Sequence, residues 1–260
     1  MGLFKSQQEK ELLARAKAGD GDAMMLLSDA YEKGDLSLGI KIDTEQSNYW
    51  FNRAVAAKNP RAMRIEGYWQ MSEGAENNNP AMFKKGFAIL EELYRMGYPE
   101  GARKIASVYN DKNTSAYDPE KYLYYLKLAA DLGDADAQNR LGLEYLTGKL
   151  VQKSDDQSAF WYKKAMDNPS ADDDAQYVAK NSYGCYLIRQ GKIQEGIDYI
   201  LEATKIPTQY PYSTYLWAAG QAYERLGQID NAINAYECAA TLPGDEAGLS
   251  KDRILLLRRS

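Results

Sequence analysis

The stretch Ala137-Gln138-Asn139-Arg140-Leu141-Gly142-Leu143-Glu144-Tyr145, followed by Ala159-Phe160-Trp161-Tyr162-Lys163-Lys164-Ala165, decides the fold of this 260-residue chain. Its small and apolar residues recur at i, i+3, i+4 and i+7, the period of an amphipathic helix. Working outward from Gly142, the same arrangement of a small residue three before an aromatic or apolar one returns along the chain. The small positions are Ser28, Gly67, Ala106, Gly142, Gly184 and Gly220, and the later positions are Tyr31, Gln70, Tyr109, Tyr145, Leu187 and Tyr223. Five residues before the small one stand Ala23, Ala62, Gly101, Ala137, Ala179 and Tyr215. The spacings are 39, 39, 36, 42 and 36, a near-constant period that marks a repeat architecture.

Each unit has a second half. Trp50-Phe51-Asn52-Arg53-Ala54 corresponds to Trp161-Tyr162-Lys163-Lys164-Ala165, and Tyr125-Leu126-Lys127-Leu128-Ala129 falls at the same place in the third unit. Ala232, Tyr236 and Ala239 do so in the sixth. Aligned small residues let the second helix come close to the first, and aromatics fill the space beside them. Every unit therefore reads as a helical hairpin.

Punctuation agrees. The eight prolines, at 60, 80, 99, 119, 169, 207, 211 and 243, fall between the expected helices or in their first turns. Gly-Asp-Gly-Asp at 19–22 and Gly-Asp-Ala-Asp at 133–136 each end one helix on glycine and open the next on a capping aspartate. Asp118-Pro119-Glu120 supplies a cap, a first-turn proline and an acidic first turn in succession. No stretch shows sustained alternation of β-branched residues, so strand content should be close to nil.

The expectation is an all-α fold: a right-handed α/α superhelical solenoid of about six helix-pair repeats with N- and C-terminal capping helices. The whole chain, 1–260, reads as one such domain, with repeats at 19–58, 59–97, 98–133, 134–168, 172–206 and 211–243. Residues 6–18 and 246–258 read as the caps that cover the end faces of a solenoid. The longest connections are expected at Lys33 to Asp43 and Ser72 to Met82, with a mobile tip at Asn77-Asn78-Asn79.

Composition narrows the function. Hydrophobic residues make up 45% and charged ones 27%, which suits a folded chain, and a net charge of −5 lacks the basic surface of a general nucleic-acid binder. Histidine is absent, which removes Ser-His-Asp and Cys-His sites and His-ligated metals. Cys185 and Cys238 are too far apart for a zinc knuckle or redox pair and read as buried small hydrophobes in a reducing compartment. No apolar run is long enough to span a bilayer and no secretory signal is visible. Met1-Gly2-Leu3-Phe4-Lys5-Ser6 does fit the loose myristoylation pattern.

The acidic groups have plain explanations. Asp172-Asp173-Asp174 precedes a helix and reads as its cap rather than a cation site, and Asp20/Asp22 and Asp134/Asp136 recur at the joints between repeats. Asp111-Lys112-Asn113-Thr114-Ser115 begins like a calcium loop but lacks the glycine at the sixth position. No phosphate-cradling loop lies between a strand and a helix. No enzyme, cofactor or metal is expected.

The fourth unit, Ala137 through Ala165, closely resembles a Sel-like repeat of the tetratricopeptide superfamily, and the first and third units resemble it well. The second and fifth are degenerate, with Gln70 and Leu187 in the aromatic place. Gly220-Gln221-Ala222-Tyr223 through Gly227, Ala232 and Tyr236 is more similar to an ordinary tetratricopeptide repeat. Some secreted relatives staple each hairpin with cysteines, a pattern lacking here, which supports a cytoplasmic protein.

The resemblance implies a scaffold or adaptor whose first helices line a concave groove. The residues three before the small positions, Met25, Arg64, Arg103, Asn139, Asn181 and Trp217, are expected to face that groove. Arg64, Arg103, Asn139 and Asn181 would form a polar ladder for an extended peptide, the arginines meeting a carboxylate, with Tyr68 and Trp217 as flat anchors. The partner would be a protein or peptide, not nucleic acid, a metal or a membrane. The chain itself would be a monomer or weak homo-oligomer. Two other readings stand beside this one: an immunity or antitoxin-like protein whose acidic surface masks a basic toxin, and a structural subunit self-associating through aromatic faces or Ile254-Leu255-Leu256-Leu257.

Overall fold

The computed structural model describes residues 7–208 and 211–259. Among these residues there are fourteen α-helices and no strand beyond one isolated bridge, Asp35 to Ile40, so the chain is all-α. The candidate lipidation motif at residues 1–6 lies outside the described residues. None of the helices described is long and apolar enough to cross a membrane.

Two compact units form, one running through Tyr125 and one from Leu126 onward. The first contains α1 (Gln7–Lys17), α2 (Gly21–Lys33), α3 (Thr44–Ala56), α4 (Pro60–Glu76), α5 (Pro80–Arg95) and α6 (Glu100–Tyr109). The boundary falls inside α7 (Pro119–Asp131). The second unit continues with α8 (Ala135–Thr147), α9 (Asp155–Met166), α10 (Asp173–Arg189), α11 (Ile193–Ala203), α12 (Ser213–Arg225), α13 (Ile229–Ala240) and α14 (Glu246–Leu257). Antiparallel neighbours pack as hairpins: α2 with α3, α4 with α5, α8 with α9, α10 with α11, α12 with α13. In the second unit the first helices also stack, α8 on α10 and α10 on α12, while α14 closes on α12 and α13.

Capping chemistry sets the starts. Asp20, Asp134 and Asp172 each accept a hydrogen bond from the backbone N–H three residues on, at 3.0, 2.7 and 2.8 Å. Asn59 and Asn79 do the same ahead of Pro60 and Pro80, which occupy positions whose missing N–H costs nothing. At the joints, Gly19 and Gly133 hold φ of 101° and 92°, a region few other residues adopt. Asp172 is thus the cap of α10, with Asp173 and Asp174 in its first turn.

The interior follows the repeat. Leu27, Leu90, Ile105, Leu126, Leu141, Leu187 and Ile197 are fully buried, each worth about 1.5–3 kcal/mol relative to exposure. In the first unit Tyr109 stacks on Tyr125 with centroids 6.0 Å apart, and Phe83 and Phe87 meet the pair edge-on.

One expected connection is different. Residues 72–76 continue α4, and the link to α5 shrinks to Asn77-Asn78-Asn79. The asparagines are the reason: Asn77 N–H donates to Glu73 O, Asn78 adopts φ 51°, and Asn79 N–H donates to Gly74 O while its side chain caps α5. A sequence rich in turn formers is here a tight, hydrogen-bonded turn, the asparagine side chain being suited to both jobs.

A candidate partner-binding cleft on the first helices of the second unit

The face that α8, α10 and α12 leave uncovered encloses a cleft of about 820 Å³. Helical periodicity builds it. On α8, Asp136, Arg140 and Leu143 point outward at i, i+4 and i+7, and Leu143 is 50% exposed. On α10, Val178, Ser182, Cys185 and Arg189 form the same series. The α12 side is supplied by Thr214 and Tyr215, with Thr208 and Tyr212 from the segment before it.

Aromatic rings make one wall. Tyr215 meets Tyr177 and Tyr212 edge-on, with centroids 5.9 and 6.3 Å apart. Tyr177 hydroxyl accepts from the Tyr212 backbone N–H at 3.1 Å, which pins the chain entering α12 to α10. Tyr215 hydroxyl lies 3.4 Å from Ser182 Oγ. Burial raises the pKa values of Tyr162, Tyr177 and Tyr215, so these phenols are neutral across the physiological range. The Cys185 thiol is pushed up to about 11 by burial and stays protonated.

Charge is distributed unevenly along the cleft. Asp136, Asp172 and Asp174 lie where α8 and α10 begin, and Asp174 accepts from the Thr208 hydroxyl. Among the described residues neither Asp172 nor Asp174 forms an ion pair, and Arg140 has none either. Arg189, at the far end of α10, reaches Asp155 only at 4.0 Å and stays solvent-exposed. A pair of that kind contributes little.

Asn139 stands apart. It is 8% exposed and lines the cleft, its Nδ2 donates to the Ala175 carbonyl at 2.9 Å, and its Oδ1 is buried without a donor. A buried acceptor left unpaired costs about 1–3 kcal/mol.

Of the six residues expected to form the site, only Asn139 lines this cleft. Asn181 is 1% exposed and its amide is spent on the Tyr177 carbonyl of its own helix. Trp217 is half-buried against Tyr236, centroids 4.8 Å apart. In the first unit Arg64 and Arg103 are half-buried on α4 and α6, and Tyr68 lies under the Lys104 ammonium at 4.5 Å. Met25 is in the core. Within the second unit, then, Asn139 borders the cleft while Asn181 and Trp217 are engaged in packing. A helical side chain leans toward the N-terminus, so a given surface spot is covered from one position further along. On α8, Arg140, one position after Asn139, is exposed on the cleft, whereas on α10 Ser182, one position after Asn181, is 9% exposed.

The residues that sequence reasoning missed are Tyr177, Tyr215, Asp174, Arg140 and Arg189. One of them carried a visible signal. Five before the small position every unit has alanine or glycine except the sixth, which has Tyr215. A bulky ring in a place reserved for close packing has to project elsewhere, and it projects into the cleft.

Comparison with known proteins agrees with the architecture. Residues 21–59, 99–134 and 135–169 match the Sel1 repeat, and residues 213–245 match the tetratricopeptide repeat. The Sel1-repeat-containing protein YjcO of Escherichia coli K12 is 27% identical over 164 residues, covering 61% of this chain and 66% of that protein. A protective antigen present in uropathogenic Escherichia coli strains, displaying an SLR fold, superposes with a TM-score of 0.67 at 19% identity over 96% of this chain and 52% of the antigen. A Sel1 repeat protein from Oxalobacter formigenes gives 0.61 at 20% identity, over 93% of this chain and 68% of its own. The chain thus spans just under two thirds of YjcO and about half of the antigen. At these identities the two structures establish a helical solenoid fold and nothing further.

Proposed function

This chain is a Sel1-repeat protein whose sixth hairpin is a tetratricopeptide repeat, and on that premise we propose that it is a non-catalytic scaffold or adaptor that holds an extended segment of a partner protein in the cleft of α8, α10 and α12. Repeats of this family generally serve protein–protein interaction. The observation that carries the reading is Asn139, a buried amide half spent on Ala175 and half unsatisfied, in a tyrosine-walled cleft. Extended segments bind such surfaces through their main-chain groups, with side-chain pockets adding selectivity. Tyrosine supplies contact area with few rotatable bonds to immobilise. The proposed setting is the cytoplasm, where Cys185 and Cys238, the second exposed rather than buried as expected, would stay reduced. Masking of a toxin is one form that such binding takes.

The test is a pull-down from native cell extract with the wild-type chain and with Arg140→Glu plus Leu143→Glu as bait. A stoichiometric protein retained by the first and lost by the second is the expected result. Capture that is indifferent to the double substitution removes the cleft from the reading.

Self-association has an observation of its own. Leu249, Leu255 and Leu256 on α14 are 53%, 54% and 56% exposed. A sedimentation coefficient that rises with concentration in the wild type, and is constant for Leu249→Lys plus Leu256→Lys, would move the assignment to a self-assembling subunit.

A further inference from the structure

The charge expected of this protein's partner was negative, from arginines facing the groove. The cleft itself is built the other way. Its helix-start end brings together Asp172 and Asp174 from α10 with the rings of Tyr177, Tyr212 and Tyr215. Neither aspartate has a cationic partner among the described residues, although each already accepts one neutral hydrogen bond, from Ala175 N–H and from the Thr208 hydroxyl respectively. A carboxylate has about four acceptor sites, so both retain capacity for a donor. The exposed ring of Tyr212, lining the same cleft as the carboxylates, makes a setting that attracts a cation through the ring quadrupole and through the charge. The unsatisfied Oδ1 of Asn139 adds a buried acceptor in the same cleft.

Building on the proposed scaffold function, we infer that the helix-start end of the cleft takes a lysine or arginine side chain of an extended partner segment. Arg140 follows one turn after Asp136 on α8, and Arg189 lies at the far end of α10. The bound segment is therefore basic where it meets the starts of α8 and α10, and neutral or acidic beyond. A uniformly basic peptide fits less well than one with a single basic residue ahead of an acidic one.

The experiment probes the full chain with an array of random ten-residue peptides, then measures selected peptides by fluorescence anisotropy at low and high salt. The variants are Asp172→Asn plus Asp174→Asn, which keep the cap and the Thr208 hydrogen bond while removing both charges, and Leu143→Arg, which fills the cleft. Enrichment of lysine and arginine, affinity lost with Leu143→Arg, and a roughly 10-fold weakening with the double asparagine variant are expected. The weakening should shrink at high salt, as it does for partly exposed charges. Peptides that need the cleft but carry no basic residue, or that bind the asparagine variant equally well, overturn this inference and leave the scaffold reading standing. An array that yields no cleft-dependent peptide at all overturns both.

Discussion

The second and fourth hairpins bring their helices together by different means. In α4 and α5 the contact is backbone to backbone: a Cβ on Gly86 would lie 2.2 Å from Met71 N and 2.6 Å from the Gly67 carbonyl, and one on Gly74 would lie 2.4 Å from Phe83 N. In α8 and α9 a Cβ on Gly142 would instead meet the ring of Tyr162 at 2.9 Å. The fifth hairpin repeats the first solution, Gly196 against the Gly184 carbonyl, and the sixth repeats the second, Gly220 against the ring of Tyr236. The hairpins with paired glycines are the two whose aromatic position is replaced, by Gln70 and by Leu187. They are also the two that neither the Sel1 nor the tetratricopeptide matches cover. Departure from the repeat pattern is here a change of packing, in which a second glycine takes up the space that the first-helix aromatic otherwise helps to set.

Substitution should separate the two modes. Gly86→Ala has the largest expected effect, because the atoms in its way are main chain and cannot rotate aside. The helices must part, at a cost of about 3 kcal/mol, read from the urea midpoint. An unchanged midpoint would break the distinction. Gly142→Ala should cost about 1 kcal/mol in the same assay, since the Tyr162 ring can tilt by a fraction of an ångström. Equal losses at the two sites would mean that the rings are held as rigidly as backbone.

The aromatic mode also carries a polar latch that paired glycines cannot offer. Tyr236, fully buried, donates its hydroxyl proton to Glu224, and Glu224 is held by the Arg253 guanidinium of α14. The Arg253 hydrogen bond, aided by that of Tyr236, keeps the Glu224 carboxyl below its ordinary value. The unfolded chain therefore binds this proton more readily than the folded one. Stability from the latch is present above the ordinary carboxylate range and is lost as pH falls through the lowered folded value. Thermal unfolding of the wild type should fall more steeply than that of Glu224→Gln from roughly pH 5 downward. Parallel curves would show that the latch contributes nothing to folding. This is the smallest of the three effects, because Arg253 is 42% exposed.

Most of the helical plan was legible before any coordinates. The glycine-aspartate joints, the first-turn prolines and the period of the small residues are local signals, and each acts within a few residues of where it stands. Ser28, Ala106 and Gly142 marked their hairpins for the same reason. The candidate site was legible only in part. Asn139 was found because its position recurs, whereas Asn181, at the same position, spends its amide inside its own helix. Whether such a residue faces a groove or a neighbour depends on the rotation of one helix against the next, and a shift of one residue exchanges the two.

By itself, then, the sequence determined the class of fold, the hairpin repeat and the points where helices start and stop, since hydrophobic period, capping and proline geometry are properties of short stretches. Tertiary structure alone decided which face stays open, that Tyr177, Tyr212 and Tyr215 converge, and that Asp172 and Asp174 lie beside them without a counter-ion. Those facts arise from residues far apart in the chain, and only the packing of α8, α10 and α12 brings them into one place.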